Sequence, residues 1–254
     1  MHNPDRMKYI RATSKFILFF AVTFGLYGLW FAGNVIIPNK QYWRQIVFRS
    51  WSRFFVSLSG IRIDIIGDPP KPPFFLVSNH LSYTDIPLLR AILECVFVAK
   101  GEIAGWFLGG RMVRDMANVF VDRKNRRDIP RAGADIIRRL EDGEGVVVFP
   151  EGTSSKGEGI LPFNSSFFEF AAKSDLPVHY ASISYRIDDP GLNASDYICW
   201  WDDTTFISHL FRFFQLKRST AVVTFGREAV VEDDRKKIAQ ELWKRVQSKF
   251  VPII

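Results

Sequence analysis

Two apolar segments occupy most of the first sixty residues. Residues 16–37 contain no charged side chain, and as a helix they would be about 33 Å long, enough to cross a bilayer. After a break at Pro38-Asn39, residues 41–58 repeat large apolar side chains at helical spacing, with arginines on most of the opposite side. Such a helix can lie in a membrane interface or pack on a globular domain. The pattern therefore predicts a membrane-associated two-helix motif, and it leaves open whether the first helix spans the bilayer.

Beyond Gly60, short apolar runs alternate with amphipathic segments. We predict strands at residues 62–66, 74–77, 96–99, 119–121, 146–149, 178–184 and 221–225. One helix is predicted to begin near residue 84 and to include residue 93. Further helices are predicted at 101–113, 126–142, 167–172, 204–216 and 233–250. This alternation predicts an α/β fold with a mixed, largely parallel sheet flanked by helices. The boundary near Gly60 would separate a membrane-anchoring helical hairpin, residues 1–60, from the domain that contains the sheet, residues 61–254.

Charge and aromatic content narrow the choice of partner. The chain has a formal charge of +7, and aromatic residues make up 15% of it. A basic protein favours an anionic partner such as a nucleic acid, a phosphorylated metabolite or an acidic membrane. Here the N-terminal arginines are interleaved with Trp and Phe, a combination that lipid headgroups favour. We therefore predict membrane lipids as partners and no nucleic acid.

The two cysteines, Cys95 and Cys199, lie in apolar surroundings and form no CxxC pair. We expect both to stay reduced in a cytosolic compartment and to pack as small hydrophobic residues. No Ala-x-Ala cleavage site follows the first apolar run, so we expect that segment to be retained.

Polar residues follow three of the predicted strands directly. They are Asn79-His80, Asp122-Arg123 and Glu151-Gly152-Thr153. Because ligands gather at the carboxyl ends of the strands in such sheets, we expect these three groups to meet at one edge.

His80 and Asp85 have the residue types of a general base and its orienting acid. Asp85 is expected in the first turn of a helix, where its charge is favoured. From there it can accept a hydrogen bond from Nδ1–H of His80 and leave Nε2 free to take a proton from a substrate hydroxyl. The pair alone is weak evidence, since chance supplies such a spacing often. No GxSxG sequence is present and neither cysteine has a basic neighbour, so no covalent nucleophile is predicted.

The other two loops have features of an anion site. Gly152 permits close backbone approach, and the neighbouring amides and hydroxyls can surround an anion, although the loop can also be read as a hydroxyl-capped turn. Arg123 at a strand end suits a bidentate phosphate contact, whereas residues 124–127 can be a solvated run.

Three ordered motifs carry a family resemblance: Asn79-His80-x4-Asp85, Val119-Phe120-Val121-Asp122-Arg123 and Phe149-Pro150-Glu151-Gly152-Thr153-Ser154-Ser155. They resemble the first three motifs of the glycerolipid acyltransferases related to bacterial 1-acyl-glycerol-3-phosphate acyltransferase. The resemblance implies acyl transfer from acyl-CoA or acyl carrier protein, as co-substrate, to a lysolipid hydroxyl, with no cofactor and no metal.

The resemblance also implies a role for each motif residue. His80 would be the base and Asp85 its partner. Arg123 would bind phosphate, and the acceptor site would include Glu151, Gly152 and Thr153. Asn79 and Ser154 lie in the same motifs, and we predict that they bind substrate as well.

The sequence departs from the family pattern in two segments, and these departures affect which acceptor lipid the resemblance implies. The fourth motif is reduced to Leu176-Pro177-Val178, and Phe163-Asn164-Ser165-Ser166 replaces a common Phe-Lys-x-Gly. Ser154-Ser155-Lys156-Gly157 resembles instead the branch that acylates lyso-ornithine lipids.

We expect 1-acyl-glycerol-3-phosphate as the acceptor, giving phosphatidic acid. Lyso-ornithine lipid is the alternative acceptor, and a catalytically silent lipid-binding protein of the same fold is the alternative class. The expected location is the cytoplasmic membrane, with the catalytic domain facing the cytosol, where thioester donors are made.

Overall fold

The computed structural model describes residues 4–105, 109–122, 128–189 and 191–253. Its first two elements are helices α1 (Pro4–Ile36) and α2 (Lys40–Ser59). Both predicted helices are thus confirmed, and α1 begins earlier than predicted. Gly60 ends α2 with a φ of 76°, and a Cβ there would lie 2.6 Å from the carbonyl oxygen of Lys217. Only glycine fits this close approach at the entrance to the sheet.

Strands and helices then alternate along the chain. The strands are β1 (Ile61–Ile66), β2 (Phe74–Ser78), β3 (Cys95–Lys100), β4 (Val119–Val121), β5 (Gly145–Val148), β6 (Val178–Ile187) and β7 (Ser219–Phe225). The helices are α3 (Asp85–Ile92), α4 (Gly109–Asp115), α5 (Asp128–Glu141), α6 (Glu169–Lys173), α7 (Ala194–Tyr197), α8 (Phe206–Phe213) and α9 (Arg235–Gln247). All seven predicted strands are present.

The helix predictions differ from the structure in three places within the described ranges. The helix predicted at 167–172 is a 3-10 turn, Ser165–Phe168, followed by α6. The single helix predicted at 101–113 is a 3-10 turn, Gly101–Gly105, followed by α4, and residues 106–108 between them lie outside the described ranges. The short helix α7 was not predicted, because four residues cannot show a helical period.

The sheet has the order β1-β7-β6-β2-β5-β3-β4. Strands β6 and β7 pair antiparallel, and the other neighbours pair parallel. Strands β2 and β5 are buried along their whole length, which explains why their sequences are almost continuously apolar. The predicted mixed, largely parallel α/β fold is confirmed.

Helix α1 has one packed and one exposed face. Its inner face contacts α2 and α8, where the ring of Phe19 lies 5.8 Å from that of Phe55 and 5.9 Å from that of Phe214. These side chains belong to the same buried cluster as the sheet. The outer face exposes Ile17, Phe24, Phe31, Val35 and Ile36. Among the described residues, one helix, Arg6–Ile36 within α1, is long and apolar enough to cross a membrane. The predicted division near Gly60 stays a prediction.

Candidate active site

The loops after β2 and β5 lie against each other at the carboxyl edge of the sheet. The backbone N–H of Ser155 donates to the carbonyl of His80 at 2.9 Å, and the N–H of His80 donates to Oε1 of Glu151 at 2.6 Å. Asp122 follows β4, which is the edge strand two places from β5. Arg123 lies outside the described residues, so its phosphate contact stays a prediction.

Asp85 holds the imidazole of His80 in one orientation. It is the first residue of α3 and is fully buried. Its Oδ2 accepts from Nδ1 of His80 at 2.8 Å and from the backbone N–H groups of Leu81 and Ser82 at 2.7 and 2.9 Å. The proton of neutral His80 is therefore on Nδ1, and the lone pair is on Nε2. Within the described ranges Nε2 has no hydrogen-bond partner, and the side chain is 19% exposed.

The imidazole of His80 is the end of a stack of three rings, in which it lies on Phe149 and Phe149 lies on Phe97. The ring of Phe149 stacks on the imidazole with centroids 4.1 Å apart and an interplanar angle of 13°. Phe97 lies behind Phe149, nearly parallel to it, at 6.1 Å. This flat support fixes the plane of the imidazole and hence the direction of Nε2.

Glu151 bridges two loops through its carboxylate. Besides the N–H of His80, it accepts from the N–H of Leu161 at 2.8 Å. Burial raises the pKa of Glu151 to about 8, and the charge of Asp85 raises it further, while the two backbone donors act in the opposite direction. Glu151 thus holds the His80 loop in place, and its predicted contact with the acceptor stays a prediction.

Asn79 and Ser154 also make contacts that hold these loops. The Asn79 amide exchanges two hydrogen bonds with the backbone of Ile183, at 2.7 and 2.9 Å. Strand β6 continues beyond the end of β2, and Asn79 satisfies the backbone groups exposed there. The hydroxyl of Ser154 donates to the carbonyl of Trp200. Gly152 has a φ of 83°, in the left-handed region, and Thr153 next to it is exposed.

Sequence reasoning missed two residues beside the predicted base. The hydroxyl of Tyr185 donates to Oδ1 of Asp85 at 2.8 Å. The backbone N–H of Trp200 donates to the carbonyl of Leu81 at 2.9 Å. Tyr185 is 100 positions from Asp85. No local pattern could connect them.

A cleft of about 820 Å³ lies between α5 and α6. Its walls include Val98, Val121, Ile137 and Phe170. Polar side chains, among them Asn164, Glu169, Lys173 and Arg235, line the rest of it.

The cysteines offer no nucleophile. Both are unpaired and buried, as expected. Burial raises the pKa of Cys95 to about 12 and also raises that of Cys199. Both thiols therefore stay protonated near neutral pH, and neither is a ready nucleophile.

The raised pKa of Glu151 predicts a pH-dependent stability. Because the folded value is about 8 and the ordinary value 4.5, the folded protein binds more protons than the unfolded one between them, so stability falls as pH rises. Buried His209, with a pKa lowered from 6.5 to about 4, has the opposite effect below pH 6.5. Denaturation in detergent between pH 6.5 and 8 should therefore show a smaller loss of stability in Glu151→Gln than in wild type.

Glu158→Gln is the matched control, because Glu158 is 72% exposed and pairs with Lys156. Its pH dependence should equal that of wild type. An unchanged slope in Glu151→Gln would contradict the assignment.

Comparison with known proteins agrees with this geometry. The family model described as Acyltransferase matches residues 62–184. The lyso-ornithine lipid O-acyltransferase of Rhizobium meliloti is 34% identical over 220 residues, covering 80% of this chain and 74% of that protein. The 1-acyl-sn-glycerol-3-phosphate acyltransferase of Neisseria gonorrhoeae is 29% identical over 183 residues, covering 71% of each.

A solved structure shares the fold. The crystal structure of the 1-acyl-sn-glycerophosphate acyltransferase PlsC from Thermotoga maritima superposes with a TM-score of 0.67 at 20% identity, covering 95% of this chain and 97% of that one. The chain therefore belongs to the acyltransferase family, as its motifs indicated. It is an enzyme that transfers acyl groups to lysolipids, and its apolar N-terminal helix fits association with a membrane.

Proposed function

We propose that this enzyme transfers an acyl group from acyl-CoA or acyl carrier protein to the hydroxyl of lyso-ornithine lipid. The main support is its similarity to the Rhizobium meliloti enzyme named for that acceptor, which extends over more of the chain than its similarity to the Neisseria gonorrhoeae enzyme. The acceptor first expected from the motifs, 1-acyl-glycerol-3-phosphate, is the second candidate.

The loop after β5 favours lyso-ornithine lipid over 1-acyl-glycerol-3-phosphate as the acceptor. Its final residues, Ser154 and Ser155, carry no charge, whereas a phosphate acceptor would favour a cation. The next basic residue, Lys156, pairs with Glu158 at 2.9 Å and lies over the ring of Trp201. An ornithine headgroup carries no phosphate, so it does not require a guanidinium at this position.

The reaction follows from the orientation of His80. Nε2 takes the proton of the acceptor hydroxyl while the hydroxyl oxygen attacks the thioester carbonyl carbon. Asp85 stabilises the imidazolium that forms. When the tetrahedral intermediate collapses, the C–S bond breaks and the proton on Nε2 passes to the leaving thiolate. The products are the acylated lipid and a free thiol, with no acyl-enzyme intermediate.

The acceptor is tested by measuring thiol release from purified enzyme in mixed micelles. Lyso-ornithine lipid and 1-acyl-glycerol-3-phosphate are compared with the same acyl-CoA, and again with acyl carrier protein. We expect kcat/KM to be larger with lyso-ornithine lipid by at least about tenfold, since a site matched to one headgroup leaves polar groups unpaired with another. The reverse order would establish the second candidate. Binding of both lipids without thiol release would indicate a silent lipid-binding protein.

We assign the cleft between α5 and α6 to the acyl chain, because Val121, Ile137 and Phe170 give part of it apolar walls. Replacing Ile137 with tryptophan would fill part of it and exclude about two methylene groups, each worth about 0.8 kcal/mol. The ratio of kcat/KM for a long-chain over a medium-chain acyl-CoA should fall about tenfold. Glu141→Trp, on the exposed side of the same helix, is the control. Equal ratios in both variants would place the acyl chain elsewhere.

The helical hairpin would lie in one leaflet of the cytoplasmic membrane, with the catalytic domain in the cytosol. Support comes from α1, whose inner face packs on α8 while its outer face stays apolar and exposed. A helix held in this way along a domain suits an interfacial position better than a crossing. Protease should cleave beyond Gly60 in inverted membrane vesicles and not in intact spheroplasts. Cleavage in spheroplasts alone would contradict the orientation.

A further inference from the structure

The two carboxylate oxygens of Asp85 have separate partners. Oδ2 accepts from His80 and from two backbone N–H groups of the same loop. Oδ1 accepts from the hydroxyl of Tyr185 at 2.8 Å. Asp85 is fully buried and Tyr185 is 4% exposed. Water is thus excluded from the contact between Tyr185 and Asp85. With this contact, both oxygens of the buried carboxylate have hydrogen-bond donors.

The direction of the Tyr185 hydrogen bond is set by its neighbours. Thr84 donates its hydroxyl proton to the Tyr185 oxygen at 3.2 Å, so the Tyr185 proton is directed to Asp85, which can only accept. Burial and the negative charge of Asp85 raise the pKa of Tyr185 well above its usual value. The phenol therefore keeps its proton at every pH at which the enzyme would be assayed.

Strand β6 places this hydroxyl by backbone geometry. The backbone of Ile183, two residues before Tyr185, is held by the side chain of Asn79. The same strand therefore contacts the residue that begins the catalytic loop and, through Tyr185, the residue that ends it. A side chain placed by the central sheet is better suited to orient Asp85 than one placed by a surface loop.

We infer that Tyr185 is a positioning residue for acyl transfer, which holds the carboxylate plane of Asp85 and keeps the shared proton on Nδ1 of His80. It acts through Asp85 and does not touch substrate. The inference rests on the proposed function, because it requires His80 to be the base. Without the phenol, Oδ1 would lose its donor and Asp85 would become a stronger base. His80 would then hold a proton to higher pH and would be less well oriented.

Other titratable groups also face Asp85. Among the described residues these are Glu151, from the loop after β5, and Cys199, after α7. Cys199 stays protonated, and Glu151 is unchanged in a Tyr185 variant. A difference between wild type and Tyr185→Phe therefore reports the phenol and not these groups.

The test is the pH profile of kcat/KM for wild type, Tyr185→Phe and Tyr180→Phe. Tyr180 is a buried tyrosine on the same strand, and its ring lies 5.8 Å from the guanidinium of Arg245, so its variant controls for loss of a tyrosine hydroxyl away from Asp85. For Tyr185→Phe we expect kcat to fall about tenfold and KM to change less than about twofold. The acidic limb of the profile, where kcat/KM falls as His80 becomes protonated, should move up by about half a pH unit or more. Tyr180→Phe should follow wild type. An acidic limb of Tyr185→Phe that coincides with wild type would overturn the inference.

Thr84→Val is a second variant, and it tests the role of Tyr185 if Tyr185→Phe does not fold. It removes the donor to the Tyr185 oxygen, weakens donation to Asp85, and should move the acidic limb in the same direction by a smaller amount. A limb that does not move would count against the inference. His80→Ala separates the two proposals: if it retains activity, the proposed mechanism fails, whereas loss of activity in His80→Ala with a wild-type profile in Tyr185→Phe rejects only the role of Tyr185.

Discussion

Replacing His80 with alanine is expected to lower kcat for acyl transfer about a thousandfold, because a positioned general base contributes about 10² to 10⁴ in rate. Among the described residues no other imidazole binds the carboxylate of Asp85. The residual rate would come from binding and orientation of the two substrates. The measurement is thiol release under saturating acyl donor and acceptor.

His179→Ala is the matched control for this variant. His179 lies on β6, where its backbone pairs with Leu76, and it is half-buried. Its replacement should change kcat by less than about threefold. A His80→Ala protein that folds and keeps its wild-type kcat would refute the general-base mechanism.

Asp85→Asn is expected to have the second largest effect, with kcat lowered about a hundredfold or more. The four groups around this carboxylate are all donors: Nδ1 of His80, two backbone N–H groups and the hydroxyl of Tyr185. An asparagine amide would direct its own donors at some of them. His80 would then lose the contact that fixes its tautomer, and the imidazolium would lose its counter-charge.

The same substitution should also destabilise the fold, by about 3 kcal/mol, because buried donors would be left unsatisfied. Urea denaturation in detergent measures this loss separately from kcat. Asp68→Asn, at an exposed carboxylate in the loop after β1, should match wild type in both measurements. If Asp85→Asn retained kcat within about threefold, Asp85 would not be the partner of the base.

Much of the fold was predictable because the sheet is buried on both sides. Segments such as Phe74–Ser78 and Gly145–Val148 must be almost wholly apolar to lie there. Since parallel strands end at one edge, the contact between the His80 and Glu151 loops also followed from the pattern. The segment between β3 and β4 was less predictable, because its glycines weaken any helical period.

The roles of individual site residues were harder to predict. For Glu151, the motif did not reveal that the backbone N–H groups of His80 and Leu161 donate to its carboxylate, and its contact with the acceptor stays a prediction. For Asn79, the motif did not reveal the two hydrogen bonds between its amide and the backbone of Ile183, and its contact with substrate also stays a prediction. A motif shows which residues are near the chemistry. It does not show which partner each side chain takes, because the partners come from distant segments.

The sequence by itself determined the strands, most of the helices, the order of the strand-end loops and the pairing of His80 with Asp85. Each depends on residues close together in the chain: an apolar run, or a turn that brings position 80 beside position 85. The order of the strands was decided by tertiary structure, since pairing β2 with β6 joins segments about a hundred residues apart. That pairing alone brings Tyr185 to Asp85. No local periodicity encodes it, because it arises from the packing of the whole sheet.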